Sequence, residues 1–540
     1  MTPAPPVPCS AAVAWLRRAF FFAVVGFMWW RFSENTADND LWGHVLYGQR
    51  MLHLRGLETV ETLSWTAAGQ PWINHEVLAE VTMGLVHRLG GGTGLWVMML
   101  VLAGLTLGLA WRAGAGSDPG RRLIAAALLA LSTNFIALGY AVRPQLFTFL
   151  FFVITLLLLR RLFAGRLLPW SLALPLVLML WANTHGGYLA GWVIVTMAMA
   201  AEGLGALFPS LLRRLRCTPF AGRPLALAGV ASASLLALAV NPWGWKLTLW
   251  TVETLRLPRP QLYEWQAMSF NAISTPYFFV LLLGMLAWVF SRQPRRLWEM
   301  LAWALLAFMA FQHVRHAPLF GLASVALLPV HVQDLLTRLA RQTSSLRAAI
   351  ARPALAIPGI VVLLLAGGRC LQLSVSSSPQ PFRMEVPRAL FPVAAIEYMQ
   401  AHQLTGDTLT FFDWGQQVLW ELPDNRVSFD GRLDTVYSQK VMTAHWMLYA
   451  GDDPGPALPL DQARFALLPT RSGGVDLLFR RGWTLLYHDP LATVLTRKRE
   501  WRPLGQQEPV AGGDTAIAGA APFPDALPVL GTRVSAIPQP

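Results

Sequence analysis

Apolar stretches long enough to cross about 30 Å of hydrocarbon recur through the first two thirds of this chain, and no other feature restricts its fold as strongly. They lie near residues 14–32, 94–111, 122–142, 145–163, 168–183, 186–208, 223–241, 276–291, 297–313, 317–333 and 354–370. Composition agrees: of 540 residues, 54% are hydrophobic and 14% charged. A soluble domain carries roughly 25% charged residues. The chain therefore reads as a polytopic α-helical membrane protein of about eleven spans, followed by a C-terminal extracytoplasmic α/β domain.

A net charge of +13 would suit a nucleic-acid binder if the basic residues shared a soluble face. Their positions give another reason for the excess. Arg17 and Arg18 precede the first span, Arg112, Arg121 and Arg122 follow the second, and Arg160, Arg161 and Arg166 follow the fourth. Arg213, Arg214, Arg216 and Arg223 follow the sixth, Arg292, Arg295 and Arg296 the eighth, and Arg338, Arg341, Arg347 and Arg352 the tenth. The short opposite loops near 143, 184 and 314 carry only Arg143 and Arg315. This is the positive-inside pattern, and it predicts a cytoplasmic N-terminus in a bacterial inner membrane, with the C-terminal domain outside. The basic residues mark topology; membrane lipids are the expected partner and nucleic acid is not. A cleaved signal peptide is the alternative for the first span, but no small-x-small site follows Trp29 and Trp30, which favours a retained anchor. Cys9, Cys217 and Cys370 are scattered and give neither a disulfide framework nor a metal spacing.

The spans and the loops between them form a transmembrane domain, residues 1–373, whose first outer loop is long, about 33–93. It holds two amphipathic helical patterns. In one, Asp40 and His44 share a face while Leu41, Val45 and Leu46 form an apolar stripe. In the other, Val77, Leu78, Val81 and Leu85 oppose Glu76 and Glu80 before Gly90, Gly91 and Gly92 break the helix. Both are expected along the membrane interface. A second outer loop runs from about 242 to 275. Residues 374–502 alternate between strand-like segments (408–412, 426–429, 465–468, 483–487) and helix-like ones (393–402, 439–450), the pattern of a small α/β domain. The tail 503–540, rich in Pro, Gly and Ala, is expected to be flexible.

Polar groups gather on one side of the membrane. Asp38 and Asp40 follow the first span, with Asn74, His75 and Glu76 in the same loop. Arg143 caps the third span, Asn183 and His185 join the fifth and sixth, Asn241 opens the loop that holds Glu264, and Arg315 and His316 end the ninth. Ionisable groups at a membrane are costly, which makes function the default reading. Plainer readings stand beside it: Asp38 or Asp40 as helix N-caps, His75 and Glu76 as a solvated face, Asn183 and His185 as groups satisfying a Gly-rich turn, Arg143 as a snorkelling cap. Chemically, paired carboxylates such as Asp38 and Asp40 hold a divalent cation of the Mg or Mn type, with His44, His75 or Glu76 completing the shell. A carboxylate also takes a proton from an attacking hydroxyl or amide. Arginines present fixed forks to phosphate oxygens. Acid, metal and arginine at a membrane face fit attack on a lipid-linked phosphosugar.

The acidic first outer loop, the many spans and the soluble outer domain resemble the GT-C superfamily of membrane glycosyltransferases. DNDLWGHVLYGQR, SWTAAGQPWINHE, WANTHGG, VRHAP and FDGRLDTVY are similar to a bacterial branch of GT-C-like membrane proteins, a likeness that covers most of residues 35–445. The resemblance implies that an acid of the first outer loop, here Asp38 or Asp40, acts as catalytic base or metal ligand; superfamily members differ in needing a metal. Phe411-Phe412-Asp413-Trp414-Gly415 is similar to the aromatic-aromatic-Asp-aromatic-Gly motif of oligosaccharyltransferase catalytic subunits, where it helps bind the acceptor peptide. Phe stands here for both leading Trp residues and Trp for Tyr, and the segment also reads as a strand end and turn.

The expected function is transfer of a sugar from a polyprenyl-phosphate or polyprenyl-diphosphate donor to an extracytoplasmic glycan, lipid or protein acceptor. Asp38 or Asp40 would be the base and Arg143, Arg315 and His316 phosphate ligands, with His75, Glu76, Asn183, His185, Glu264, Asp413 and Trp414 also binding substrate. A lipid-linked saccharide transporter or flippase and a non-catalytic envelope-assembly protein are the alternatives. Internal repeats and polar residues at mid-membrane, the marks of transporters, are not visible in the sequence.

Overall fold

A computed structural model of the chain describes residues 11–164, 170–214, 216–218, 220, 224–271, 274–342, 353–501 and 508–528. Cys9, Arg166, Arg223, Arg347, Arg352 and the last twelve residues of the expected tail lie outside them. The chain divides into two compact units. One is Met1–Glu34, Met99–Tyr140 and Gln145–Pro381; the other is Asn35–Met98, Ala141–Pro144 and Phe382–Pro540.

The first unit is the membrane bundle. Each expected span forms helix, but not each is long enough to cross. Among the described residues, six helices have the length and hydropathy required: Ala11–Phe32, Val77–Ala115, Pro119–Gly139, Gln145–Phe163, Tyr188–Leu207 and Ala356–Ser376. A seventh span forms if Val314–Leu327 and Pro329–Ala340, bent by 60°, cross as one. Leu172–Ala182, Leu225–Ala237, Thr275–Phe290 and Leu297–Gln312 are apolar but run only 10–17 residues. Among the described residues, length alone therefore marks six or seven of the expected eleven, because about 20 helical residues are needed to cover the hydrocarbon. The first and last of these helices pack closely through glycines: a Cβ on Gly26 would lie 2.8 Å from Gly367 O. Small residues permit such backbone approach in lipid, where burial alone drives little association.

The second unit is built on a sheet. Its strands are β1 (Glu385–Pro387), β2 (Asp407–Thr410), β3 (Arg426–Val427), β4 (Phe465–Pro469), β5 (Thr484–His488), β6 (Ala492–Thr496), β7 (Val510–Ala511) and β8 (Ala520–Pro522). Six of them form one sheet in the order β3-β2-β4-β6-β5-β7, with β2 parallel to β3 and β4; β1 and β8 pair antiparallel. The sequence signals find β2 to β5 and the helices Val393–Ala401 and Gln439–Ala450, and miss β6 and the helices Gly415–Glu421 and Gly473–Arg480. The tail also departs from expectation. Residues 520–522 complete a strand pair, and Phe523 is fully buried against Trp42 and Trp420, so apolar contact holds what composition marks as loose.

The first outer loop is part of this unit. Trp65 enters the domain core beside Leu409, Leu448 and Leu468, and its indole donates to Thr408 O at 3.1 Å. Main-chain bonds between residues 63–65 and Val427 extend the sheet past β3. The helix Leu41–Leu54 does not lie along a membrane interface: every residue from Leu41 to Met51 is buried. Trp42 packs on Phe391 and Phe523, while Gly48 touches the next helix so closely that a Cβ would lie 2.0 Å from Glu80 O. That next helix, Val77–Ala115, breaks at Gly91 (φ 54°, ψ −147°), as the glycine run predicts. Before the break its polarity is inverted relative to an ordinary surface helix. Glu80 points inward at 2% exposure, and Leu78, Leu85 and Leu89 point outward.

Candidate active site

Main-chain pairing positions the acidic loop. Residues 35–37 run beside β1, with Glu385 N donating to Asn35 O at 2.8 Å and Ala37 N to Glu385 O at 2.7 Å. The chain then turns at Asp38, whose Oδ1 accepts from Asp40 N at 3.0 Å. Asp40 holds the N-cap position of helix 41–54 without making a side-chain capping bond. Capping thus does not account for its carboxylate, which instead lies 3.0 Å from Arg143 Nη2, while Arg143 Nε donates to Asp38 Oδ1. Asp38, Asp40 and Arg143 keep 17%, 22% and 25% of their side chains exposed, so a ligand can reach all three. Burial pushes Asp40 up to about 6; Asp38 and Glu76 add to the rise, and Arg143 and His44 oppose it.

The Phe411–Gly415 segment supplies a further acid. β2 lies between two parallel neighbours, and the chain leaves it for β3 on one side before returning to β4 on the other. Such a switch point leaves a crevice at the carboxyl ends of the strands, where open α/β sheets bind ligands. Asp413 sits in the turn Phe412–Trp414 that begins there. Burial raises its pKa and the nearby Asp38 adds to this, against a hydrogen bond from Asn39 and the charge of Arg143. Trp414, by contrast, is 2% exposed and donates to Leu390 O at 3.1 Å. It supports the turn from inside the core and is not available to face a ligand, a correction to its expected substrate-binding role. Gly431 closes the acidic site from the other side, where a Cβ would lie 1.8 Å from Asp40 Oδ1.

A second group gathers beside it. His44 Nδ1 lies 3.3 Å from Glu80 Oε1 and 3.7 Å from Glu76 Oε2, and the three residues offer donor atoms within 4.8 Å of one another. Asn74 Nδ2 holds the other Glu80 oxygen at 2.5 Å, and His75 Nε2 lies 3.7 Å from Glu76 Oε1. Burial brings His75 down to about 4, so it is neutral at ordinary pH. One imidazole and two carboxylates suit a divalent transition ion. The expected metal set of Asp38, Asp40 and His44 is thus divided: the aspartates share Arg143, and His44 joins two glutamates. Glu80 was absent from the expected site, although its spacing from Glu76 places both on one helix face, the available signal.

A third cluster is sealed. Arg432 pairs with Asp430 (2.9 and 2.7 Å) and Glu61, Tyr437 donates to Asp430 Oδ2 at 2.8 Å, and the guanidinium lies 5.0 Å from the Trp72 ring centre. Burial raises the pKa of Glu61, with Arg432 opposing.

The remaining expected residues lie in the membrane bundle. Asn183 Nδ2 donates to Met179 O and Val240 O (2.8 and 2.7 Å), and His185 Nδ1 lies 2.8 Å from Thr148 Oγ1 and accepts from Gly187 N. These bonds satisfy a tight turn, the plainer of the two readings. Glu264 and Arg315 do come together, at 3.4 Å, and Arg315 and Arg259 each lie 4.3 Å from the Trp265 ring centre. The His316 ring is 6.0 Å from that of His313.

The chain carries several apolar helices long enough to cross a membrane, and it shares its fold of apolar helices and an α/β sheet with known structures. An oligosaccharyltransferase from Archaeoglobus fulgidus, solved in its apo form, matches 92% of this chain and 75% of its own with TM-score 0.53 and 11% identity. The same figures hold for the archaeal oligosaccharyltransferase AglB from Archaeoglobus fulgidus in complex with an inhibitory peptide and a dolichol-phosphate. ArnT from Cupriavidus metallidurans in the apo state matches over 92% of this chain and 100% of its own, with TM-score 0.52 and 14% identity. No family model matches the sequence, and no curated protein does.

Proposed function

We propose that this protein is a membrane glycosyltransferase that moves a sugar from a polyprenyl-(di)phosphate donor to an acceptor outside the cytoplasm of a bacterial cell. The observation that carries the reading is the half-open set of Asp38, Asp40 and Asp413 around Arg143, at the switch point of a sheet in a GT-C fold. A solved neighbour of the same fold holds dolichol phosphate and a peptide, which supports a lipid-phosphate donor here.

In the proposed step, the acceptor's hydroxyl or amide attacks the sugar's anomeric carbon. The bond from that carbon to the lipid phosphate oxygen breaks, and the oxygen leaves with the electron pair. The nucleophile's proton passes to Asp40. A carboxylate whose pKa is raised to about 6 is a better base than an ordinary one and is still ionised at neutral pH. Asp38 fixes Arg143, whose charge favours the departing phosphate. His44, Glu76 and Glu80 are the residues that would hold a divalent ion, which when bound supplies further charge for a phosphate. Asp413 is the proposed acceptor-side acid. In the membrane bundle, Arg315, held by Glu264, and His316 are the proposed ligands for lipid phosphate.

The test is transfer of radiolabelled sugar from a polyprenyl-linked donor by the reconstituted full-length protein. Asp38→Asn and Asp40→Asn are compared with the parent. Loss in one or both supports the assignment; full activity in both rejects it.

A further inference from the structure

The bundle contains a second polar site at its arginine-rich end. A cavity of about 400 Å³ opens where the helix ends near 113, 121, 160 and 326 meet residues 294–296. Its wall includes Arg121, Arg160, Arg295, Arg296, Thr218 and a single carboxylate, that of Glu299. The wall itself thus carries four arginines and one carboxylate, with Glu202 paired to Arg296 and Asp118 beside Arg121 outside it.

Part of this wall is explained by structure alone. Arg160 binds Glu299 (2.7 Å) and the carbonyls of Ala113 and Ala326 (2.9 and 2.8 Å), so it terminates two helices. Arg296 binds Phe163 O at 2.6 Å and Glu202 at 3.3 Å. Each of these two arginines thus has one carboxylate partner as well as its carbonyls. Two features go beyond capping. Arg295 is 7% exposed, forks to the carbonyls of Trp288 and Ser291, and keeps its Nε buried without a partner. An unmatched donor on a buried cation is costly, and a ligand oxygen would remove that cost. Arg121 is held only loosely, with its Nε 3.3 Å from Gln333 Oε1. Its fork can turn to an incoming anion.

We infer that this cavity, at the end of the bundle that the charge pattern assigns to the cytoplasm, binds a phosphate group. Planar guanidinium forks match phosphate oxygens two at a time. Basic pockets between helices on the cytoplasmic side take anionic lipid headgroups. A soluble phosphate offers the same oxygens, and the experiment separates the two sources.

Full-length protein extracted in mild detergent is examined by native mass spectrometry for retained phosphatidylglycerol against phosphatidylcholine, and its thermal stability is followed with added inorganic pyrophosphate. The variants are Arg121→Gln, in the wall, and Arg122→Gln, a neighbour outside it. Arg295 is left intact because it holds two carbonyls. Preferential retention of phosphatidylglycerol, reduced about fivefold in R121Q and unchanged in R122Q, supports a lipid headgroup. Stabilisation by pyrophosphate that R121Q alone weakens, without lipid preference, supports a soluble phosphate. Absence of both effects, or equal losses in R121Q and R122Q, overturns the inference.

Discussion

Two clusters in the extramembrane unit share one composition, an arginine with two carboxylates, and differ in access to solvent. Arg432, Asp430 and Glu61 have side chains 4%, 0% and 0% exposed. Arg143, Asp38 and Asp40 stand at 25%, 17% and 22%. The sealed set bonds the first outer loop to the region after β3, with Tyr437 and the Trp72 face completing its shell. Nothing can enter it, so its charges serve only each other. The half-open set has the same charges at hand but spends them where a ligand can compete. Identical ingredients thus yield a sealed joint and a set that a ligand can reach, and exposure decides which.

If that contrast is right, the largest effect belongs to the open set and falls on rate. Asp40→Asn should lower sugar transfer by about 10²–10⁴-fold, the usual worth of a positioned base, without lowering the unfolding midpoint. Arg432→Met should do the reverse and cost about 3–5 kcal/mol of stability, since it strands two buried carboxylates. Arg143→Met should cost about 0–1 kcal/mol, because its partners remain partly hydrated. Denaturant midpoints of the two arginine variants in detergent check this; equal losses would erase the distinction. Asn74→Ala, which frees an oxygen of Glu80, should weaken Mn²⁺ binding about 10–100-fold by isothermal titration, the range for residues that orient a ligand.

The pH profile sharpens the comparison further. Asp40 must be ionised to accept a proton, so transfer should fall about tenfold per pH unit below about 6. Its stability contribution runs the other way. The folded value of about 6 exceeds the ordinary 3.8, so the folded chain holds the extra proton between them. Stability from this group is present below about 4 and is lost as pH rises through about 6. Both slopes should vanish in D40N, and their persistence would assign them to another group. The smallest effect expected is Trp414→Phe, which forfeits one buried hydrogen bond worth about 1 kcal/mol and leaves KM for the acceptor unchanged.

Much of the fold is legible in residue order, because hydrocarbon and water impose long-range rules on short segments. Apolar length locates the helices, and strand-like alternation locates β2 to β5. Crossing capacity is less legible, since the 60° bend before Pro329 and the short helices depend on packing. Among the candidate site residues, Asp38, Asp40 and Arg143 are singled out by sidedness, and Asp413 by its motif. Glu80 is not, because an acid opposite leucines on a helix ordinarily faces water, and here the leucines face out. Trp414 misleads for the opposite reason: a large aromatic beside an acid suits a ligand platform and a core equally well.

The contact between Gly43 and Gln416 joins residues 373 positions apart, and Gly431 presses on Asp40 across a similar interval. On the ribosome, the acidic segment is therefore synthesised hundreds of residues before the surfaces that orient it. Trp42 and Trp65 must wait unburied through the insertion of the whole bundle. These acids are oriented only once residues 416 and 431 have been made, and a chain released earlier would carry every acid of the loop yet lack the wall that aims them.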